Sequence, residues 1–220
     1  MAQPGFARTL CLAAPELSPR AVLLSADYIP KSFVKLIERV WDCTVYTHYG
    51  MTETGFGLAV DCRCRDGMHM RDDEFMVEII DSETLLPLPD GDTGEIVLTS
   101  LRNRAMPLIR YRTGDIGRLI AVPCACGGSL PRLGRVEGRL GGDSLNMATL
   151  DELLGSIKEL LYYDAEILDG ELLISCYAPA GLDRTGVTAI LAAAGIKAKL
   201  REIPALNIRL TNSKRGIRIK

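Results

Sequence analysis

The sequence has no long apolar run and no leader-like start. No stretch of its 220 residues approaches the roughly 18 consecutive apolar residues that a membrane-spanning helix needs. Residues 1–5 lack the basic region followed by an apolar one that a secretory leader requires. We therefore expect a cytoplasmic protein that does not bind to membranes.

An excess of charge of one sign is also absent. The chain carries 26 basic and 28 acidic side chains, which gives a formal net charge of −2. Without a broad basic field a surface does not hold a polyanion, and no acidic tail is present. Nucleic acid is therefore not an expected partner, and no internal repeat or low-complexity segment suggests a repetitive fold.

An ordinary globular composition is present instead. Apolar residues make up 47% and charged residues 25% of the chain, which is enough to bury a core in one large or two modest domains. Of the seven cysteines, three are scattered and four form two close pairs. In a cytoplasmic chain such cysteines are thiols or metal ligands more often than disulfides.

The first third of the chain has the pattern of an α/β unit. Residues 1–20 carry no sustained period and are predicted to form a loop, whereas residues 21–27 and 43–48 read as strands on either side of a helix that Pro30 opens. A crossover connection would place the ends of the two strands side by side. The polar loop at residues 49–55 would then lie at the same sheet edge as Ser25, Ala26 and Asp27.

The pattern of predicted secondary structure changes twice in the remaining two thirds of the chain. Short strands broken by turns predict a small antiparallel sheet or distorted barrel, and beyond a glycine-rich segment alternating helices and strands predict an α+β domain. The predicted strands of the sheet are residues 75–80, 95–99, 108–112 and 116–122. The later elements are a helix at 151–161 capped by Thr149, a strand at 171–177 after the turn Asp169-Gly170, a helix at 185–194 closed by Gly195, and a strand at 197–203.

Four short motifs occur in a specific order. They are residues 49–53 (Tyr-Gly-Met-Thr-Glu), 94–97 (Gly-Glu-Ile-Val), 111–115 (Tyr-Arg-Thr-Gly-Asp) and 138–139 (Gly-Arg). Their order and spacing resemble those of adenylate-forming enzymes, and most closely the phenylacetate-CoA ligase branch. Such enzymes use ATP to convert a carboxylic acid to an acyl-adenylate and pyrophosphate, and then pass the acyl group to coenzyme A. The resemblance covers essentially the whole chain.

The resemblance implies a phosphate and metal site in the loop. Thr52 would hydrogen-bond the α-phosphate, and Glu53 would hold Mg²⁺, which prefers carboxylate and phosphate oxygens. Both residues would serve catalysis by positioning and charge neutralisation. Without the other motifs, Thr52 would read as a turn residue and Glu53 as a solvated charge.

It also implies a nucleoside site, part of which the same loop supplies. Asp115 would accept from both ribose hydroxyls, and Arg139 would reach the ribose too; a turn aspartate and a surface arginine are the alternatives. Tyr49 would pack against adenine. The further residues implied in nucleotide binding are Gly50, which allows close backbone approach, Met51, and the adenine-loop residues Ser25, Ala26 and Asp27.

A cation near the C-terminus completes the catalytic set that the resemblance implies. Lys214 would bridge the attacking carboxylate and the phosphate, although Ser213 stands where the family usually has glycine. Lys220 and Arg215 are nearby alternatives. A second departure is Gly141, which stands where relatives commonly have an aspartate at the hinge.

The cysteine pairs suggest a structural zinc site. Cys62, His69, Cys124 and Cys126 supply three soft thiolates and one imidazole, a donor set that suits tetrahedral Zn²⁺. Some members of this ligase branch show similar Cys…Gly-x-His and Cys-x-Cys elements. Cys64 is the spare thiol, and free buried thiols are the alternative.

The expected architecture combines α/β and α+β parts. Residues 1–60 would form a partial α/β adenylate-binding subdomain, residues 61–137 the β subdomain with the zinc site, residues 138–142 the hinge, and residues 143–220 a mobile α+β domain. The Ser/Thr/Gly-rich phosphate loop that such ligases need does not occur ahead of Ser25. The chain therefore reads as the C-terminal half of an acid–thiol ligase, truncated and inactive alone.

Two functions follow from this interpretation. The chain is either part of an acyl- or aryl-CoA ligase that acts with a separately encoded N-terminal half, or a non-catalytic, zinc-stabilised interaction or regulatory module with the ligase fold. The first takes a small carboxylic acid, ATP and coenzyme A; the sequence does not name the acid. An interface left exposed by a missing half would promote homo-oligomerisation.

Overall fold

The computed structural model describes residues 1–55, 57–141, 145–205 and 216–219. The chain divides into two compact units, a first unit of Met1–Val45 with Asp143–Lys220 and a second unit of Tyr46–Gly142. In chain order the elements are α1 (Pro4–Ala13), β1 (Ala21–Leu24), α2 (Lys31–Trp41), β2 (Thr44–Tyr49), β3 (Ala59–Asp61), β4 (Met68–Met70), β5 (Phe75–Ile80), β6 (Gly94–Ser100), β7 (Tyr111–Gly117), β8 (Leu119–Ile120), β9 (Arg132–Leu133), β10 (Gly138–Arg139), α3 (Met147–Leu154), β11 (Tyr162–Leu168), β12 (Glu171–Tyr177), α4 (Arg184–Ala193), β13 (Ala198–Glu202) and β14 (Arg218–Ile219).

The first unit begins with a helix where the sequence predicted a loop. The prediction for residues 1–20 was wrong because Pro4 starts α1 rather than breaking it; the first turn of a helix tolerates proline. Ala7 and Cys11 lie one turn apart on its buried face. They pack in one cluster with Leu24, Ile37, Trp41 and Val45.

The predicted strand-helix-strand unit is confirmed. β1 and β2 follow one another in the order of a single sheet, and α2 connects them. α2 is strongly amphipathic and buries Phe33, Leu36 and Ile37 completely or almost completely. It ends at Asp42, which adopts a left-handed conformation.

The later part of the first unit is a four-stranded sheet with two helices. The strand order is β13-β12-β11-β14, with β11 and β12 antiparallel and joined at the predicted turn, where Asp169 and Gly170 both have positive φ. β13 pairs parallel with β12, and β14 pairs parallel with β11. Leu150, Ile174 and Leu191 belong to the core between this sheet and the helices α3 and α4.

The predicted helix at residues 151–161 required correction. α3 starts and ends earlier, and its cap is Asn146, whose Oδ1 accepts the Thr149 N–H at 3.0 Å. The helix stops at Gly155, where a Cβ would clash with Ser32 and Phe33. The chain then turns into β11, a strand that the periodicity did not reveal.

Polar contacts join the two sequence segments of the first unit. Arg8 is 1% exposed, and its guanidinium lies over the rings of Phe33 and Tyr163. It donates to backbone carbonyls that follow α3, those of Gly155 (2.9 Å), Ile157 (3.0 Å), Leu160 (2.8 Å) and Leu161 (3.3 Å). Because these carbonyls lie at and beyond a helix end, Arg8 supplies the hydrogen bonds that the helix itself cannot.

Glu152, a residue of α3, caps the N-terminus of α2 with its side chain. Its carboxylate accepts the N–H groups of Lys31 (2.9 Å) and Ser32 (3.2 Å) and the Tyr28 hydroxyl (2.9 Å). A carboxylate at a helix N-terminus satisfies free N–H groups and opposes the positive end of the helix dipole. A residue of α3 therefore stabilises the start of α2.

Glu152→Gln is expected to lower the free energy of unfolding by about 1–2 kcal/mol, because the amide loses the charge and one of two acceptors at the α2 N-terminus. Chemical denaturation measures the change. Glu159→Gln, at an exposed position, is the control and should change stability by less than about 0.5 kcal/mol. Equal effects of the two substitutions would contradict the capping role of Glu152.

The second unit consists of antiparallel strands, as predicted. One set has the order β2-β3-β4-β9-β8, and a separate four-stranded sheet has the order β10-β7-β6-β5. Buried side chains of both sets, including Leu58, Met70, Ile96 and Leu133, form one apolar cluster. The pairing of β6 with β7 shifts register between Glu95 and Val97, so that residues 113–115 of β7 lie opposite the single residue Ile96 of β6.

The fold class is confirmed as mixed α/β and α+β, with several sheets. The two compact units meet along the chain at residues 45/46 and 142/143, whereas the domain boundaries at 60 and 137 stay a prediction. Among the described residues, no helix is long and apolar enough to cross a membrane.

Candidate functional site

Asp115 lies at the centre of a polar group in the second unit. Its Oδ2 accepts the Tyr49 hydroxyl at 2.8 Å, and its Oδ1 lies 3.1 Å from Nε of Arg139. Arg139 also donates through Nη2 to the Thr113 carbonyl at 2.8 Å. Asp115 thus contacts both Tyr49 and Arg139, and all three residues were predicted to bind the nucleoside. Each carboxylate oxygen keeps a further lone pair for a ligand hydroxyl.

Strand pairing and an irregularity within β7 fix this geometry. β10 pairs antiparallel with β7 so that Arg139 stands opposite Asp115. Gly114 has φ of +73°, a conformation that glycine adopts without strain. The Thr113 hydroxyl donates to the Ile96 carbonyl at 2.8 Å and accepts the Asp115 N–H at 3.0 Å. The aspartate is therefore part of a rigid strand.

Glu95, on the neighbouring strand β6, supports this part of β7 through its side chain. It is 2% exposed and accepts Nε of Arg112 at 2.8 Å and the Gly114 N–H at 3.1 Å. The hydrogen bond to Glu95 raises the pKa of Arg112, so the guanidinium keeps its charge. Glu95 and Arg112 lie in two of the four motifs found in the sequence, but neither residue was given a role. The only sign of their pairing in the sequence is their opposite charge, 17 positions apart.

Tyr49 is held as a hydrogen-bond donor. Burial, together with the neighbouring Asp115 carboxylate, raises the pKa of its phenol above the ordinary value. The phenol therefore keeps its proton at neutral pH and donates to Asp115. Tyr49 ends β2 and also packs against the apolar cluster of the second unit.

Thr52 and Glu53 lie in a single 3₁₀ turn, Thr52–Thr54, directly after β2. The buried Thr54 closes this turn, because its Oγ1 accepts the Met51 N–H at 3.0 Å and donates to the Met51 carbonyl at 2.9 Å. Glu53 Oε1 accepts the Tyr111 hydroxyl at 3.1 Å. Thr52 is exposed, so its hydroxyl is accessible to a ligand.

A cavity of about 370 Å³ opens beside this turn. Two arginines, Arg71 and Arg102, are among the residues that line the cavity. Arg71 pairs with Glu74 at 2.5 Å and donates to the Gly57 carbonyl, while Arg102 lies 3.9 Å from Asp73. The cavity is lined by Thr52, Glu53, Thr54, Gly55, Arg71, Glu74, Phe75, Arg102, Asn103 and Met106.

Glycines let the loop pass close to its own backbone. A Cβ on Gly50 would lie 2.6 Å from the Cα of Gly57, and a Cβ on Gly57 would lie 1.9 Å from Nε2 of His48. The close approach that Gly50 makes here is thus to Gly57. His48 packs against that glycine.

The predicted adenine-loop residues belong to the first unit. Ser25 is buried, and Ala26 has φ of +74°, which is uncommon for a residue with a Cβ. Asp27 Oδ2 accepts the Gln3 side-chain amide at 3.2 Å, and its Oδ1 accepts the Tyr28 N–H at 2.8 Å. Strained residues of this kind cluster at functional sites, which agrees with a ligand-binding role.

The predicted C-terminal cation lies outside the described residues, as do its two alternatives: Lys214, Arg215 and Lys220. Gly141, at the predicted hinge, is described and has φ of +67° with open space around a Cβ. A residue with a Cβ would be strained in this conformation.

Cys62, His69, Cys124 and Cys126 form a compact cluster. Their four ligand atoms lie within 4.8 Å of one another. Cys62 Sγ is 3.6 Å from Cys124 Sγ, and Cys126 Sγ is 3.4 Å from Nε2 of His69. Tetrahedral Zn²⁺ with Zn–S bonds of about 2.3 Å separates two thiolates by about 3.8 Å. The donor set and its spacing therefore fit zinc.

Backbone groups orient the four side chains. The Nδ1 of His69 lies 3.1 Å from the Leu130 carbonyl, which leaves Nε2 toward the sulfurs. N–H groups point at three sulfurs, from Cys64 to Cys62 (3.3 Å), from Cys126 to Cys124 (3.5 Å) and from Gly128 to Cys126 (3.2 Å). The N–H of Cys126 lowers the pKa of the Cys124 thiol, which favours the thiolate that a metal needs.

The scattered cysteines have a different environment. All seven cysteines are free, in agreement with the sequence interpretation. Burial raises the pKa of Cys11 and of Cys176 to about 11, so both thiols stay protonated. They pack in apolar clusters of the first unit and serve as small core residues.

Comparison with curated proteins identifies relatives over part of the chain. No protein-family model matches it. The chain is 34% identical to a phenylacetate-coenzyme A ligase of Thermus thermophilus over 145 residues, which is 62% of this chain and 33% of the relative. The ligases of the same name from Pseudomonas putida (42% over 93 residues, 41% of this chain and 20% of the relative) and Escherichia coli (35% over 124 residues, 56% and 28%) also match.

Solved structures share the fold. A 2-hydroxyisobutyryl-CoA ligase in complex with 2-HIB-AMP in the postadenylation state has a TM-score of 0.78 at 22% identity, with 99% of this chain and 53% of that chain covered. An anthranilate CoA ligase in complex with anthranoyl-AMP has a TM-score of 0.57 at 12% identity, covering 94% and 46%. The chain thus spans about a third or less of its curated relatives' length and about half of these structures.

The sequence matches and the shared fold agree with the order of the four motifs. The chain is therefore phenylacetate-CoA ligase-like over part of its length, and it shares the fold of acyl- and aryl-CoA ligase structures.

Proposed function

We propose that the chain is the nucleotide-carrying part of an ATP-dependent acyl- or aryl-CoA ligase. The observation that carries this proposal is the carboxylate of Asp115, held between the Tyr49 hydroxyl and Arg139 at the end of a rigid strand pair. A fixed carboxylate with free lone pairs suits two vicinal ribose hydroxyls. The adenylate complexes of the structural relatives support this assignment.

The chain's residues would act mainly by positioning. Thr52 donates its hydroxyl to the α-phosphate, and Asp115 and Arg139 hold the ribose, so the acid's carboxylate meets the phosphorus in line. Such positioning converts a bimolecular displacement into an effectively intramolecular one. Tyr49 lines the adenine, with Gly50 and Met51 forming the neighbouring backbone.

Mg²⁺ would be held by Glu53. Its carboxylate borders the cavity beside Thr52 and keeps Oε2 for a metal, since Oε1 accepts the Tyr111 hydroxyl. Carboxylate and phosphate oxygens are the ligands that Mg²⁺ prefers, and the ion would neutralise phosphate charge. Glu53 thus orients the phosphates relative to the ribose on Asp115.

Zn²⁺ would be structural. Three thiolates and one imidazole fill a tetrahedral shell and leave no position for water. The ion would tie β4 and the loop before it to the loop after β8. Its role would be to hold the second unit together.

The catalytic cation and the remaining partners complete the proposal. Lys214 would approach the adenylate from the C-terminal segment, and coenzyme A would accept the acyl group. The acid is small and aromatic or aliphatic, and a separately encoded N-terminal half would supply the missing phosphate loop. ATP and coenzyme A agree with a cytoplasmic location, and self-association would cover surface that such a half leaves exposed.

Titration of the whole chain with a non-hydrolysable phenylacetyl-adenylate analogue, a sulfamoyl adenosine, tests the proposal. We expect saturable binding that excess AMP displaces. The second arm mixes the chain with the N-terminal part of the Thermus thermophilus relative and assays phenylacetyl-adenylate by mass spectrometry. Absence of analogue binding together with absence of adenylate in the mixture would refute the ligase function.

The alternative is a non-catalytic, zinc-stabilised interaction or regulatory module. Its supporting observation is the cluster of Cys62, His69, Cys124 and Cys126, which would stabilise the second unit without any ligand at Asp115. This alternative predicts that Glu53→Gln and Asp115→Asn leave the chain's cellular phenotype intact, whereas loss of Cys124 abolishes it. The ligase predicts that all three substitutions abolish it.

A further inference from the structure

Tyr111 contacts Glu53 and has no role so far in the proposed function. It is the first residue of β7, opposite Leu98 of β6, and its hydroxyl donates to Oε1 of Glu53 at 3.1 Å. We propose that Tyr111 is a positioning residue that fixes the Glu53 carboxylate for the metal bound to the nucleotide phosphates. The inference rests on the proposed function and deepens it.

Glu53 needs such a contact because its backbone alone does not aim it. It is the middle residue of a three-residue 3₁₀ turn, and its side chain is only partly buried. A free glutamate side chain samples several rotamers, and fixing them opposes ligand binding. The phenol fixes Oε1 and leaves Oε2 to the metal. The carboxylate is thus preorganised before the nucleotide binds.

The two phenol–carboxylate pairs share β7. Tyr49 donates to Asp115 near one end of the strand, and Glu53 accepts from Tyr111 at the other. Tyr49 is the last residue of β2, and Glu53 lies in the 3₁₀ turn that follows this strand. Asp115, whose carboxylate would bind the ribose, lies on β7, and Glu53, whose carboxylate would bind the metal, is held by Tyr111 of the same strand. The strand therefore fixes the position of the ribose relative to the phosphates.

The direction of this hydrogen bond follows from the chemistry of the two groups. The phenol carries the proton and donates, because an ionised carboxylate only accepts. A carboxylate that accepts from a neutral phenol keeps its full charge for a cation, whereas an arginine in this position would neutralise it.

Tyr111→Phe tests the inference because it removes one oxygen and keeps the ring. In isothermal titration of the whole chain, we expect the Mg²⁺ concentration for half-maximal ATP binding to rise about tenfold, the size of one lost hydrogen bond to a charged group. AMP binding without metal should stay within about twofold. Tyr46→Phe, on β2, is the matched control and should change neither quantity.

A double-mutant cycle separates positioning from structure. In a Glu53→Gln background, Tyr111→Phe should produce no further change in the Mg²⁺ requirement. An unchanged Mg²⁺ requirement in Tyr111→Phe, or equal losses of AMP and Mg²⁺-ATP binding, would overturn the role of Tyr111. Wild-type chain that binds neither AMP nor ATP would instead refute the proposed function, so the two failures are distinguishable.

Discussion

Asp115→Asn is expected to weaken binding of the phenylacetyl-adenylate analogue by about 30- to 100-fold. The amide keeps one acceptor oxygen and loses the charge that the ribose hydroxyls would meet, and hydrogen bonds to charged groups contribute about 1.5–3 kcal/mol. The amide N–H₂ would also face either Arg139 or the Tyr49 hydroxyl, both of which donate to this carboxylate. Isothermal titration measures the change.

The matched control is Asp92→Asn, which makes the same chemical change in the exposed turn before β6. It should leave the affinity for the analogue within about twofold. Circular dichroism of both variants establishes that each is folded. Asp115→Asn with wild-type affinity would contradict a ribose site at this carboxylate.

Cys124→Ser is expected to have the largest effect on stability. Serine is a poor zinc ligand, and binding of a structural zinc ion contributes folding free energy directly. We expect the zinc content measured by atomic absorption to fall from one ion per chain to nearly none. The second unit should unfold at a temperature about 10 °C or more below that of the wild type, measured by differential scanning calorimetry.

Cys64→Ser provides the sharpest control for the cysteine cluster. Cys64 follows Cys62 by two residues, and its N–H points at the Cys62 sulfur, but it lies outside the group of four. The substitution removes a thiol and keeps the backbone N–H, so zinc content and melting temperature should stay close to wild type. Loss of zinc in Cys64→Ser, or full zinc content in Cys124→Ser, would contradict the assigned ligand set.

Among the described residues, local patterns in the sequence predicted two of the four helices, α2 and α4, and about half of the strands. β5, β6 and β12 lie within a residue of their predicted positions because each has a clear alternation between turn signals. α1 was missed because the prolines and glycine of residues 1–20 and the short apolar face of the helix read as a loop, and tertiary packing of Ala7 and Cys11 supplies its stability. Such contacts leave no period in the sequence.

The residues of the candidate site also divide into those that local motifs predicted and those whose roles depend on tertiary contacts. Ordered motifs pointed to Tyr49, Asp115 and Arg139, which the structure brings into contact, and the Cys/His spacing pointed to the four side chains of the cluster. Glu95 and Tyr111 were given no role, because their partners are 19 and 58 residues away in sequence. Sequence spacing carries no information about which side of a strand meets which loop.

A crystal structure of the chain with the phenylacetyl-adenylate analogue would test the nucleotide site most directly. We predict both ribose hydroxyls within hydrogen-bond distance of the Asp115 carboxylate, the adenine beside Tyr49, and the sulfamoyl group at Thr52. An analogue bound elsewhere on the chain, with Asp115 still paired only to Tyr49 and Arg139, would contradict the assignment.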